Sequence, residues 1–493
     1  MKHRKLPAAA LACALVLTLA LAGCGAAAPS GSGSAETETA AAETAYLTAE
    51  DIAVSETLEN AADGEHVITA DGEEAAYANI AVSKTGEAEG DEADFYGENA
   101  AIFATNGAAL TLSELLVTTN GTHANAVFSY GAGTTVNISD SVIETSGNCS
   151  GGLMTTGGGT MNASNLTVRT TGRSSAAIRS DRGGGTVTVT GGSYATEGMG
   201  SPVVYSTADI TVSDAKMTAS TSQGVVVEGK NSVTLKNVDL TANNTAKNSD
   251  KSDRYQAVML YQSMSGDADA GTASFTMEGG RLTNRNEDVF FVNNTIATIT
   301  LSGAEITNEG GGVFLRAEAA DWGRDGSNGG QVTLRAIGQT IDGDMLVDEV
   351  SNLNLYLTEN SVFTGAINPD GAAGAVYVEL TDGAKWTLTA DSWLTGLTCG
   401  ADSIDLNGHT LYVDGVAYTG GASSGEAIEP TESAGGGPDG MGAPPEGGPG
   451  GTPPEGRGPP PDGMAPPDGG GAPPEGVTPP DGGQPPEKPP ENP

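Results

Sequence analysis

A short alternating pattern recurs about every 25 residues through the middle of this 493-residue chain, and it constrains the fold more than any other feature. Residues 186–196, TVTVTGGSYAT, show it clearly, because apolar side chains alternate with threonine and then run into a Gly-Gly turn. One strand of this length buries little by itself, so each copy must pack on its equivalent one repeat away. The first apolar position of the pattern recurs at Leu110, Val136, Met161, Val187, Ile210, Val233, Phe275, Ile299, Val332, Leu353 and Val378.

Two further columns of apolar residues divide each repeat into short strands. The second column lies two residues after the first, and the residue between them is nearly always Thr or Asn, as expected for a strand with one buried face. Turn-forming Gly, Asn or Asp comes next. The third column stands seven residues after the first, at Val117, Ile143, Val168, Tyr194, Met217, Leu240, Leu282 and Ile306. Repeat lengths of 21 to 42 residues suit the coils of a wide solenoid and predict an all-β parallel β-helix of about 11–13 coils over residues 46–420.

On these columns the chain resembles the right-handed parallel β-helix of the pectin-lyase-like group, and more closely the β-helical surface lipoproteins of anaerobic Gram-positive bacteria. The resemblance spans about residues 65–418. It implies a right-handed solenoid displayed at the cell surface. It specifies activity poorly, because one fold carries many functions.

The N-terminus has the features of a bacterial lipoprotein signal. Residues 1–23 begin with Lys2, Arg4 and Lys5 and continue into an apolar run of signal-peptide length. The run closes on Leu-Ala-Gly-Cys, which resembles a lipobox, so we expect Cys24 to be lipidated after cleavage; a plain secretory signal is the alternative. Residues 24–45 then form a flexible linker. The sequence therefore predicts a protein anchored by lipid on the extracellular face of the cell membrane.

The C-terminus differs from the repeats in composition. Residues 421–493 repeat Pro-Pro-Glu-Gly and Pro-Pro-Asp-Gly with almost no apolar content, which predicts a disordered or polyproline-like tail. The tail supplies −10 of the formal net charge of −41, from 12 acidic and 2 basic residues, so most of the charge lies on the repeats. Such a surface repels phosphate backbones and excludes nucleic acid as a partner, whereas neutral or cation-bridged polymers are compatible with it.

Two long repeats are the places where a site is expected, because the loops that interrupt a solenoid usually carry its function. The repeats of 42 and 33 residues should release their loops from one edge, two coils or roughly 10 Å apart. The side chains that could contact a sugar ligand are Tyr261, Gln262, Arg316 and Trp322. The carboxylates that could hold Ca²⁺ as a cofactor are Asp267, Asp269, Asp321 and Asp325. The alternative is a solvated pair of turns in which Trp322 caps the coil below.

Catalytic patterns are weak by comparison. Five arginines are candidates for the base that pectate lyases place beside calcium, namely Arg179, Arg182, Arg254, Arg281 and Arg316. No three acidic residues recur on adjacent coils beside any of them, which favours simple pairing on an acidic surface. His66, His123 and His409 fall on different coils, with no Ser/His/Asp or zinc spacing. Cys149 and Cys399 should lie about nine coils, or roughly 40 Å, apart and remain separate thiols.

The sequence favours a monomeric, lipid-anchored extracellular binding or adhesion module that recognises a polysaccharide. The runner-up is an enzyme, a calcium-dependent polysaccharide lyase, and the third hypothesis is a purely structural surface spacer. A lyase generates unsaturated sugar ends that absorb in the ultraviolet, a binding protein only retards the polymer, and a spacer does neither.

Overall fold

The computed structural model describes residues 46–247, 254–263, 265–371 and 374–430. The predicted signal segment, Cys24, the linker up to residue 45 and most of the predicted tail lie outside these ranges. Within the described ranges no helix is long and apolar enough to cross a membrane.

Two long sheets form the parallel β-helix that the sequence predicts. Sheet 1 has 21 strands and sheet 2 has 11 strands, and neighbouring strands pair in parallel. Sheet 1 consists of Glu56–Asn60, Glu74–Lys84, Ala109–Thr119, Thr135–Ser139, Val142–Thr145, Gly159–Ser164, Thr167–Thr170, Gly185–Thr190, Ser193–Thr196, Asp209–Ser213, Lys216–Ala219, Ser232–Lys236, Asp239–Ala242, Thr272–Glu278, Arg281–Asn284, Thr295–Ser302, Glu305–Asn308, Gly330–Ile337, Asn352–Thr358, Ala375–Leu380 and Gly396–Thr398. Sheet 2 consists of Ile68–Asp71, Ile102–Thr105, Val127–Tyr130, Leu153–Thr156, Ile178–Ser180, Val204–Ser206, Val225–Glu228, Gln256–Tyr261, Asp288–Asn293, Leu315–Ala317 and Met345–Val347.

Smaller elements complete the coils. A four-stranded sheet contains Thr340–Asp342, Val362–Thr364, Lys385–Thr387 and Ile404–Asp405, and a three-stranded sheet contains Ser392–Leu394, Leu411–Val413 and Val416–Ala417. A 3-10 turn covers Ala49–Asp51, and the short helix α1 covers Asp91–Tyr96. Helix α1 is an insertion between the first long strand of sheet 1 and the strand Ile102–Thr105, and the repeat pattern gave no sign of it.

The predicted apolar columns form the core between the sheets. In the third column Val168, Tyr194 and Met217 pair in register on successive coils and are buried. The first column is correct as far as Ile299 and wrong at the next two positions, because Ile299 pairs with Leu334 rather than Val332. Leu334 in turn pairs with Leu355 rather than Leu353. A slip of two residues keeps the same side chains inward, so the buried face itself was predicted correctly.

The turns that lead from sheet 1 into sheet 2 stack through glycine and serine. A Cβ atom on Gly172 would lie 1.8 Å from the carbonyl oxygen of Gly147, and the same close approach repeats at Gly121, Gly147 and Gly198. Ser150 lies three residues after Gly147. Its Oγ atom donates to the Gly121 carbonyl at 2.8 Å and accepts from the Ala124 N–H at 2.9 Å. These contacts hold successive turns directly above one another, so equivalent positions meet across coils.

Residues that follow the predicted C-terminal boundary at 420 still contact the solenoid. The Asn354 side chain pairs with the backbone of Ile428 at 2.8 and 2.9 Å, and the Gly425 N–H donates to Thr398 Oγ1 at 3.0 Å. The segment up to residue 430 therefore packs on the last coils. Composition placed the boundary at the first Gly-rich residues, although backbone groups there still find hydrogen-bond partners on the solenoid.

Candidate functional site

The two long loops leave sheet 2 from the same edge. The strands that precede them, Gln256–Tyr261 and Leu315–Ala317, are separated by one strand of sheet 2, as the repeat spacing predicted. The Tyr261 and Trp322 rings meet edge to face, with centroids 5.2 Å apart and an interplanar angle of 69°. Two of the four predicted ligand-binding residues thus contact each other across the loops.

A pocket of about 120 Å³ opens beside these rings. Its floor is the outward side of sheet 2, where Tyr205, Val226 and Met259 pair in register on successive coils. Tyr261 and Trp322 form the wall. This outer apolar cluster is separate from the main core, because alternate residues of the same strands point to opposite faces.

Polar side chains also line the pocket: Gln223, Asn244, Lys247, Arg254 and Gln256. Gln256 is only 1% exposed, and its side-chain oxygen makes no hydrogen bond within the described part of the chain. Its amide nitrogen contacts the Met259 sulfur at 3.3 Å. A buried amide with an unsatisfied atom costs free energy unless a ligand or water pairs with it, so Gln256 is suited to bind a polar group in the pocket.

Glu228 fixes the tyrosines of this pocket. Its buried carboxylate accepts hydrogen bonds from Tyr205 Oη at 2.5 Å, from Tyr261 Oη at 2.8 Å and from Ser263 Oγ. Burial and then the negative charge of Glu228 raise the pKa of both tyrosines well above the ordinary value. Both rings are therefore held as neutral donors in one orientation.

The remaining predicted sugar-binding residues have other contacts. Arg316 Nε lies 2.6 Å from the buried Asp288 carboxylate, and Arg316 Nη1 lies 3.5 Å from Glu318. Gln262 donates to the Ala268 carbonyl at 3.2 Å inside its own loop. Both side chains support the loops next to the pocket.

The predicted calcium ligands are spread over the two loops. Asp267 pairs with Arg182 at 2.8 Å, and Asp269 pairs with Lys230 at 2.7 Å. Asp321 and Asp325 lie on the exposed surface of the second loop. Basic partners satisfy the first two carboxylates, and calcium binding by the four residues stays a prediction.

A second cluster lies under helix α1, on the same outer face of sheet 2. The helix covers the aromatic and apolar side chains of the first coils, where Phe103, Phe128 and Met154 pair in register.

Within the described ranges, Asp94, His123 and Cys149 form the one group of three potential metal ligands whose ligand atoms all lie within 4.8 Å of one another. His123, which shows no zinc spacing in the sequence, is brought into this group by the stacking of the coils.

Arg179 and Arg182 connect this cluster to the loops. Arg179 Nη2 lies 3.2 Å from Asp94 and 2.7 Å from Asp181, which is almost fully buried. Arg182 stacks on the Phe95 ring of helix α1 at 3.6 Å while it pairs with Asp267 of the first long loop. Ion pairing explains both arginines, as the sequence favoured. Cys149 and Cys399 are separate thiols, as predicted.

The chain has no match among protein-family models, curated proteins or solved structures. A proposal for its function therefore rests on the geometry of the chain itself.

Proposed function

We propose that this protein is an extracellular carbohydrate-binding module, with the pocket at Tyr261 and Trp322 as its sugar site. The observation that carries the proposal is the combination of aromatic walls with an unsatisfied buried amide, Gln256, in one pocket. Sugar rings present apolar C–H faces that stack on aromatic rings, and their hydroxyl groups pair with side-chain amides. Gln262 and Arg316 act by supporting the loops.

The charge of the chain favours a neutral or cation-bridged polysaccharide. A formal net charge of −41 repels polyanions at long range. Lys247 and Arg254 stand beside the pocket, and Arg254 already pairs with Glu318 at 2.8 Å. Neutral hydroxyl groups therefore fit the pocket better than a dense row of sulfates or phosphates.

The surface location belongs to the same proposal. The Leu-Ala-Gly-Cys signal at residues 21–24 and the resemblance to β-helical surface lipoproteins both support attachment by lipid at Cys24. A monomeric solenoid held outside the membrane by a linker would present its loops to polymers of the surroundings.

A glycan array followed by affinity gel electrophoresis tests the proposal. Trp322→Ala should weaken binding of any retained polymer roughly 5- to 150-fold, the range of about 1–3 kcal/mol for an aromatic hot spot. The matched control is Trp393→Ala, which removes a tryptophan that stacks on Tyr412 at 5.1 Å and does not line the pocket.

The alternatives give different results. Unsaturated ends that absorb in the ultraviolet would identify a lyase instead of a binding protein. Absence of any signal from the parent protein on the array, or equal binding by the Trp322 and Trp393 variants, would overturn the sugar site and leave the spacer hypothesis.

A further inference from the structure

We infer that Asp94, His123 and Cys149 bind a divalent transition-metal ion of the zinc type. The three side chains come from helix α1 and from two successive turns between the sheets. This site is independent of the proposed sugar pocket.

The backbone fixes two of the three ligands. The His123 N–H donates to the Asn148 carbonyl at 2.9 Å, and the Cys149 N–H donates to the Arg173 carbonyl at 2.8 Å. His123 and Cys149 thus hold the same place in adjacent turns, which the glycine contacts bring close together. Placement on a rigid stack is what a preorganised ligand pair requires.

Helix α1 supplies the third ligand from above. The Thr156 hydroxyl donates to the Phe95 carbonyl at 2.8 Å and fixes the helix on sheet 2. Asp94 Oδ1 then lies 3.5 Å from His123 Nδ1. That contact lacks the geometry of a hydrogen bond, and the buried Nδ1 atom has no other partner within the described residues. An imidazole nitrogen that makes no hydrogen bond within the described residues and lies beside a carboxylate and a thiol is available to coordinate an ion.

The chemistry of the set selects the class of ion. Thiolate, imidazole and carboxylate are the three ligand types of tetrahedral zinc sites, whereas calcium and magnesium prefer oxygen alone. Zinc bonds of 2.0–2.3 Å put ligand atoms about 3.5 Å apart, so a spread of up to 4.8 Å needs about 1 Å of side-chain closure. The Asp94 side chain is 26% exposed, which gives an ion and a fourth ligand from solvent access to the site.

The neighbouring charges are compatible with an ion. Thiolate and carboxylate together balance a divalent cation, while Asp181 at 2.7 Å compensates Arg179. The contact of Arg179 with Asp94 at 3.2 Å then orients the carboxylate, a role that partners of metal ligands commonly have.

Cobalt titration of the full chain tests the site. Cys13 and Cys24 are replaced by serine throughout, so that only Cys149 and Cys399 contribute thiolate signals. We expect one Co²⁺ per chain with a thiolate-to-cobalt charge-transfer band that Zn²⁺ abolishes on displacement. Cys149→Ser should remove the band, and Asp94→Asn and His123→Gln, which remove ligands, should weaken affinity by at least the roughly 10- to 100-fold that loss of a ligand's hydrogen-bond partner costs. Cys399→Ser and His409→Gln are the matched controls and should change neither.

A second measurement covers misfolding of a variant. Alkylation of Cys149 in the parent chain, followed by mass spectrometry, should slow when Zn²⁺ is added, while alkylation of Cys399 should not. An unchanged alkylation rate at Cys149, or a charge-transfer band that survives Cys149→Ser, would overturn the site.

Discussion

His123 and Cys149 stand in equivalent positions of successive turns, 26 residues apart, and both adopt the left-handed conformation, with φ of 55° and 53°. The interval equals the one between Leu110 and Val136, which pair in neighbouring strands. Histidine and cysteine separated by one coil length are thus neighbours, whereas zinc spacings from other folds assume a single turn or hairpin. A search for ligands at the coil period would have found this pair from the sequence.

Close stacking of the turns predicts an unusual cost for a small substitution. Gly172→Ala should lower the free energy of unfolding by several kcal/mol, because its Cβ would meet the Gly147 carbonyl at 1.8 Å. Gly279→Ala is the control: Gly279 has φ of 62° and open space around it, so about 1 kcal/mol of backbone strain is expected. Urea unfolding followed by circular dichroism measures both, and equal losses would contradict the stacking argument.

The fold was predictable because its signal repeats, whereas single insertions are not. Period-two alternation identified the inward face even where the register slipped at Val332, since two residues restore the same side. Helix α1 occurs once, has six residues and breaks no apolar column. Because it does not recur, the repeat pattern does not predict it. Asp94 was missed for the same reason. Tyr261 and Trp322 were found because their loops lengthen the repeat.

The inward and outward assignments predict opposite responses at adjacent residues. Val189→Asp should cost roughly 3–5 kcal/mol, because it places an unpaired charge between Ala163 and Val212 in the core. Thr188→Asp changes an exposed position and should cost less than about 0.5 kcal/mol. Thermal melting of both variants is the measurement, and similar losses would rule out the assignment.

The hydrogen bonds that Glu228 accepts beside the sugar pocket should stabilise the fold. Glu228→Gln replaces one acceptor oxygen with a donor where three hydroxyl groups converge, so a loss of roughly 1–3 kcal/mol in the free energy of unfolding is expected. Glu197→Gln is the control, because its pair with Arg169 is about half exposed and should contribute less than about 1 kcal/mol. A chemical-denaturation comparison in which Glu228→Gln is no worse than Glu197→Gln would contradict this role.

Lipid attachment at Cys24 predicts that a single substitution there changes the location of the protein. Cys24→Ala removes the thiol that would carry the lipid, so the protein should leave the membrane fraction or stay unprocessed. Cys13→Ala keeps Cys24 and should be processed like the parent chain. Membrane fractionation with mass spectrometry of the N-terminus distinguishes these results, and a Cys24 variant that is still cleaved and membrane-bound would refute lipidation.

The buried carboxyl group of Asp181 should make the free energy of unfolding depend on pH. Burial raises the pKa of its carboxyl to about 6, against the opposing effect of Arg179, and the negative charge of Asp267 adds to the rise. The folded chain therefore keeps a proton that the unfolded chain loses above its ordinary pKa of 3.8. This contribution to the free energy of unfolding is fully present below about pH 4 and is lost as the pH rises through about 6, by up to about 3 kcal/mol.

Comparison with Asp181→Asn isolates the effect from the many other carboxylates of the chain, because both proteins share them. The two free energies of unfolding are measured by denaturant titration at several values between about pH 4 and pH 7. The value for the parent chain minus the value for Asp181→Asn should fall as the pH rises. A constant difference would mean that Asp181 does not titrate in this range. If pairing with Arg179 outweighs burial, the carboxylate stays ionised over this whole range, and any change in the difference falls below about pH 4.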